Sequence, residues 1–378
     1  MKAHFSRLLP LWLIVALLVP AAADMRGSDW PDWRGPARTG VSTATGLPSK
    51  WSPAGENLAW RVPYGGRSGP VVFGDRLYLQ NTSGSGAEEQ ERVMCFNADT
   101  GKLLWEHRYN MFASDVPAHR LAWSSPVVDP ATGNVFAISG GGVAMSLSKD
   151  GKLLWERSLN EEMGMWTTHG GRMSTPIIDG NQLIVSGLTF GWGPTAPPAH
   201  RFISFDKSNG QILWVSAPEG RPTDTIYANP FVADVDGTRL LISGGSDGAM
   251  LALKIATGER VWTWLVSKRG LNTAALMVGP DVIVTHSEEN ADSPQMGMVA
   301  AIPANLTGTL ADKDARWIVR DVQAGYASPV SDGERIYIVD NGGVLFAFNV
   351  KDGSLAYRKN LGTIQKSSPV LADGKLYV

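Results

Sequence analysis

An all-β propeller of four-stranded antiparallel blades is the fold this sequence predicts, and three regularities predict it. A glycine turn recurs with an aromatic residue four positions beyond it. A proline-containing marker recurs upstream of each such turn. Finally, 42 glycines and 23 prolines among 378 residues divide an otherwise apolar chain (43% hydrophobic, 19% charged) into short strands. A two-layer sandwich offers no reason for a four-strand period repeated along the chain.

The turn pairs Gly101 with Trp105, Gly151 with Trp155, Gly210 with Trp214, Gly258 with Trp262 and Gly353 with Tyr357. A tight hairpin turn needs a residue at positive φ, where any side chain costs about 1–2 kcal/mol and glycine costs little. Strand side chains alternate faces, so the fixed even offset returns each aromatic to the same face, where it is expected to bury against a neighbouring copy. Trp60 and Trp317 read as two further outer-strand copies without the preceding turn.

The marker is a small or polar residue, proline and an apolar pair. It appears at Ser68-Gly69-Pro70-Val71, Ser124-Ser125-Pro126-Val127, Ser174-Thr175-Pro176-Ile177, Ala228-Asn229-Pro230-Phe231, Ala327-Ser328-Pro329-Val330 and Ser367-Ser368-Pro369-Val370. Asn272-Thr273-Ala274-Ala275 is a copy without proline. Proline fits the first position of a strand, where no ladder bond is lost. From each marker the chain runs through a turn, a second strand, a glycine-rich break, a third strand, the recurring turn and the aromatic strand. The complete units are approximately 68–109, 124–159, 174–217, 228–266, 272–320 and 327–361, with a seventh beginning at Ser367.

A propeller must close to hide its sheet edges. Leu58-Ala59-Trp60-Arg61 is expected to be an isolated outermost strand that completes the last blade and joins chain start to chain end. Seven blades follow, with eight as the alternative. The last unit stops at Val378 within its second strand, so the chain is expected to be truncated at its C-terminus by roughly 15–30 residues.

Residues 1–23 read as a signal peptide: Lys2 and Arg7, an apolar run from Leu8 to Val19, then Ala21-Ala22-Ala23. Residues 24–57 form a leader and 58–378 the propeller. The expected product is a monomer without a transmembrane span, periplasmic or secreted. A formal net charge of −2 gives no electrostatic case for nucleic acid. Cys95 is the sole cysteine, so no internal disulfide or thiol-rich metal site can form, and its apolar strand makes it a buried, inert side chain.

Marker and turn together resemble the PQQ-like (pyrroloquinoline-quinone repeat) β-propeller family over residues 58–378, and Trp30-Pro31-Asp32-Trp33-Arg34-Gly35-Pro36 with Gly40-Val41-Ser42 looks like the leader of exported bacterial members. The resemblance implies either a quinoprotein dehydrogenase or a relative of the propeller lipoprotein of the barrel-assembly machine. The dehydrogenase branch is similar only in part: its adjacent cysteines, calcium-ligand set and catalytic aspartate find no match here. The lipoprotein branch lacks its lipidation cysteine in this chain.

Loops from each outer strand to the next inner strand share a face with the loops between second and third strands. On that face lie His119, Arg120 and Trp123; Trp166, His169 and Arg172; Arg221 and Tyr227; Trp192; Glu288 and Glu289; and Tyr326. Trp166, His169, Arg172 and Trp192 are the candidate ligand site at the channel mouth, with aromatics to stack on a sugar, quinone or peptide and Arg172 to pair an anion. The competing reading is that the tryptophans cap blade cores. His119, His169 and His286 have metal-ligand chemistry but no ligand spacing, so no metal is expected. Trp30 and Trp33 are expected to pin the leader on the propeller or in its channel, or else to meet a partner. The functional expectation is a non-catalytic module of the bacterial envelope that binds a protein or small ligand, with no cofactor. The alternatives are a redox enzyme using PQQ with calcium, and a propeller that binds or cleaves carbohydrate.

Overall fold

The computed structural model describes residues 29–110, 121–166, 172–189, 191, 197–218 and 220–378. Among them are seven sheets in chain order. Sheet 1 contains strands Val71–Phe73, Arg76–Ser83, Gln90–Asn97 and Leu103–Asn110, each antiparallel to the next. Sheets 2 to 6, over 127–158, 177–216, 231–265, 276–320 and 330–360, repeat that four-strand core. Two of them carry an extra strand. Met165–Trp166 pairs with the second strand of sheet 3, and Gly308–Leu310 runs parallel to the outer strand of sheet 4. Sheet 7 joins Val370–Ala372 and Lys375–Tyr377 to Val41–Ser42 of the leader, the last in parallel register.

Each pair of consecutive sheets shares one apolar cluster. Val93 and Cys95 of sheet 1 pack with Val135 and Met145 of sheet 2. Ile138 of sheet 2 then packs with Val185 and Ile203 of sheet 3. Equivalent clusters join sheets 3 and 4, 4 and 5, 5 and 6, and 6 and 7. A sheet covered on both faces needs apolar residues at consecutive positions, which explains the run Val93-Met94-Cys95-Phe96, buried throughout. Cys95 is fully buried, and burial pushes its thiol up to about 12.

The recurring aromatic is the tie between sheets. Trp105 of sheet 1 lies on Gly151 of sheet 2 and donates its indole N–H to the Lys149 carbonyl at 2.9 Å. Trp155 repeats this on Gly210 and Lys207 at 2.9 Å, Trp214 on Gly258 and Ile255 at 3.1 Å, and Trp317 on Gly353 and Val350 at 2.9 Å. Trp262 donates to Ala304 at 3.0 Å and is fully buried. The glycine serves twice. At Gly210 φ is +73°, and a Cβ there would sit 2.8 Å from the Trp155 ring.

The expected strand at Leu58–Arg61 does not form; those residues carry no strand. Trp60 nevertheless docks like the others, on Gly101, with its indole donating to Ala98 at 2.8 Å. The docking geometry asks only for the ring and its N–H, so it survives without ladder pairing. The leader strand that meets the last sheet is Val41–Ser42.

Candidate functional site

The proline of each marker leaves the preceding residue extended. Its N–H then points across to the next sheet and is met there by the equivalent side chain. Gly69 donates to the Ser125 hydroxyl at 2.8 Å and Ser125 to Thr175 at 3.3 Å. Thr175 donates to the Asn229 amide oxygen, Ala274 to Ser328 at 3.0 Å, and Ser328 to Ser368 at 2.9 Å. The small polar position of the marker is therefore a stitch around the hub. It is interrupted where Ala274 and Gly69 offer no acceptor.

The leader lies in that hub. Trp30 exchanges backbone hydrogen bonds with Val72 (2.7 and 2.9 Å), and Val128 donates to the Pro31 carbonyl at 2.9 Å. Arg38 donates to the Ile178 carbonyl at 2.8 Å, and Leu371 to Gly40 at 2.9 Å. These partners belong to the first strands of sheets 1, 2, 3 and 7, so the leader contacts innermost strands on several sides. Asp32 accepts from Arg38 at 2.8 Å; burial raises its carboxyl while Arg38 pulls it down. Arg34 donates to the Thr39, Pro329 and Pro369 carbonyls at 2.9, 2.6 and 3.3 Å. Gly40 is required there, because at φ +75° a Cβ would lie 2.3 Å from the guanidinium.

Above Trp33 and Arg34 the channel opens into a hollow of about 410 Å³, joined through shared walls to a second of about 180 Å³. Trp123, Tyr227 and Tyr326 form aromatic walls in both. Trp123 meets Tyr227 edge-on at 5.8 Å. The Arg172 guanidinium lies 5.4 Å from the Trp123 ring and 5.2 Å from Tyr227, and Lys366 lies 4.7 Å from Tyr326. Burial pushes the Tyr227 hydroxyl up to about 12, with Arg172 acting in the opposite sense.

Of the four candidate site residues, Arg172 lines this mouth. Trp166 belongs to the short strand paired with Leu188 and Thr189. His169, Trp192, His119 and Arg120 lie outside the described residues. Trp123, Tyr227 and Tyr326, named from the same loops, converge with Arg172. Sequence reasoning missed Arg34, Arg67, Lys366 and the marker hydroxyls. The leader's Trp-Arg-Gly run was the available signal, and the marker was visible but read only as a strand start. Glu289 pairs with Lys268 on the surface, and His286 is buried, with burial lowering it to about 4. Among the described residues no group of three or more His, Cys, Asp or Glu side chains could hold a metal ion.

A family profile described as outer membrane protein assembly factor BamB, of the PQQ repeat type, matches residues 38–263 and 89–358. The chain belongs to this BamB family. Outer membrane protein assembly factor BamB of Moranella endobia is 24% identical over 319 residues, covering 82% of this chain and 69% of the relative. The Yersinia pestis protein of that name is 22% identical over 342 residues, covering 89% and 79%. A polyvinylalcohol dehydrogenase from a Pseudomonas species is 24% identical, but the match covers 56% of this chain and 36% of the enzyme. In fold, the crystal structure of BamB from Moraxella catarrhalis matches with a TM-score of 0.53 at 18% identity, covering 74% of this chain and 75% of that one. A europium-containing methanol dehydrogenase matches with 0.51 at 11% identity, covering 91% and 87%. The propeller scaffold is thus common to assembly factors and dehydrogenases, and the site must separate them.

A calcium ion of the quinoprotein type needs six to eight oxygen ligands, carboxylates among them. The described lining of the two hollows contains no aspartate or glutamate. Glu288 and Asp224 act on Tyr227 from outside that lining, and Asp224 is paired with Arg269 at 3.0 Å. These residues do not fit a calcium-bound quinone.

Proposed function

We propose that this protein is an exported propeller of the bacterial envelope that binds another protein through its channel-mouth face and performs no chemistry there. One observation carries the reading: the leader brings Trp33 and Arg34 into the lining of a hollow with an aromatic rim and no acid–base pair among its described residues. Aromatic and arginine side chains on a rigid concave face are the residues that dominate protein recognition. The assembly-factor relatives, matched over most of their length, support the same choice. No helix among the described residues is long and apolar enough to cross a membrane. Periplasmic placement rests on the signal-like first 23 residues.

The test has two arms. A photo-crosslinking residue at Tyr326, which is 42% exposed on the rim, should give a discrete protein adduct in envelope extract. The same residue at Leu355, on an exposed outer strand, should not. In parallel, titration with PQQ and calcium is expected to give no dye-linked alcohol oxidation. Stoichiometric PQQ binding with turnover would overturn the proposal in favour of a redox enzyme.

A further inference from the structure

The described lining of the channel mouth carries cations and no carboxylate. Arg34 is 4% exposed and makes no ion pair with a described residue; among those residues its guanidinium donates only to backbone carbonyls. Burial alone lowers it, to about 10, with no charged neighbour acting on it. A buried charge is ordinarily paired, because carbonyl dipoles offset its desolvation only in part. Arg67 and Lys366 line the same hollow, and Arg172 lines the joined one. Three cations, Arg34, Arg67 and Lys366, over a described lining that holds no carboxylate are a local concentration of charge in a chain whose formal net charge is −2.

We propose that the channel mouth is a receptor for carboxylates carried on a partner's polypeptide, one reaching toward Arg34 at the floor and others meeting Arg67 and Lys366 at the rim. The proposal deepens the protein-binding reading above and depends on it. The spread of charge argues for a peptide over a small free anion. Arg34 is buried while Arg67 and Lys366 are exposed, so a single carboxylate cannot serve floor and rim together. The aromatic walls give apolar neighbours of an acidic residue a surface to pack on. Lys366, seated against the Tyr326 ring, loses less freedom on pairing than a cation free in solvent.

The experiment is calorimetric titration of the full chain with three probes: acetylated, amidated tetraglutamate, the corresponding tetraglutamine, and citrate. Tetraglutamate should bind with one-to-one saturation, weakening as salt rises. Tetraglutamine should show no saturation. The double variant Arg67→Gln with Lys366→Gln should lose about tenfold in affinity at an unchanged melting temperature, because both side chains are exposed. Citrate binding as tightly as the peptide would refer the site to a small anion and overturn the polypeptide claim. Absence of saturation with every anion would overturn the anion site. The Tyr326 crosslink would then still stand or fall on its own, so failure here is distinguishable from failure of the protein-binding reading.

Discussion

At the scale of single residues, Glu91 is a carboxyl whose charge state the fold constrains. It is fully buried on the third strand of sheet 1, yet its carboxyl accepts from Gly140 N at 2.9 Å and from Ala122 N, tying sheet 1 to the glycine break of sheet 2. Burial pushes it up to about 7, against the pull of those N–H groups. In the unfolded chain a glutamate titrates near 4.3. Between the two values the folded state keeps a proton that the unfolded state has released, so stability falls as pH rises from about 4 to about 7. The contribution is at most about 4 kcal/mol, at 1.36 kcal/mol per unit. Denaturant melts at pH 5 and pH 8 should show wild type losing stability relative to Glu91→Gln. Parallel profiles for the two proteins would refute the assignment.

At the scale of elements, the tryptophan tie predicts that two chemically identical substitutions differ. Gly180 and Gly210 both have positive φ, +57° and +73°. Nothing lies within 4 Å of a Cβ built at Gly180, whereas one at Gly210 meets the Trp155 ring. Gly180→Ala should cost about 1–2 kcal/mol for the backbone alone, and Gly210→Ala a further 1–3 kcal/mol or so for overpacking. Equal losses in urea melts would mean that the turn glycine is there for φ only. Thr175→Val tests the hub stitch. Ser125 N would lose its acceptor, at a cost of about 1–3 kcal/mol if no water replaces it.

These same elements show what the sequence could reveal. The turn-to-aromatic spacing is a local consequence of strand alternation, so it was legible from Gly101 to Tyr357. The six four-stranded units follow from it. What the ring does at the marker is a contact between residues about fifty positions apart, such as Ser125 and Thr175, and no local period encodes it. Trp60 illustrates the limit. Its side chain fills the expected place on Gly101, but the strand inferred around it is absent because sequence shows a ring, not its ladder. The site divided in the same way. The loops that supply Trp123, Tyr227 and Tyr326 were visible, whereas Arg34 entered from a leader whose docking depends on the assembled hub.

At the scale of the whole molecule, stability in a series of sheets packed neighbour on neighbour is nearly a sum over neighbouring pairs, so a local loss should stay local. The leader is the exception, because it touches sheets far apart in sequence. Val41 packs with Leu371 and Leu376 in the cluster between sheets 6 and 7, and Val41–Ser42 is a strand of sheet 7. Leu47 N and the Asp373 carboxylate add a further tie at 3.0 Å. A chain lacking residues 24–50 should therefore loosen sheet 7 before any other. Amide exchange across Val370–Tyr377 should accelerate by orders of magnitude, while Leu240–Gly244 in sheet 4, to which no described leader residue hydrogen-bonds, keeps its protection. Gly40→Ala should reproduce part of this effect without any deletion, since it displaces Arg34 from the Pro329 and Pro369 carbonyls. If exchange in sheet 7 is unchanged in both, the leader rests on the hub without holding it, and the floor of the pocket must be sought elsewhere.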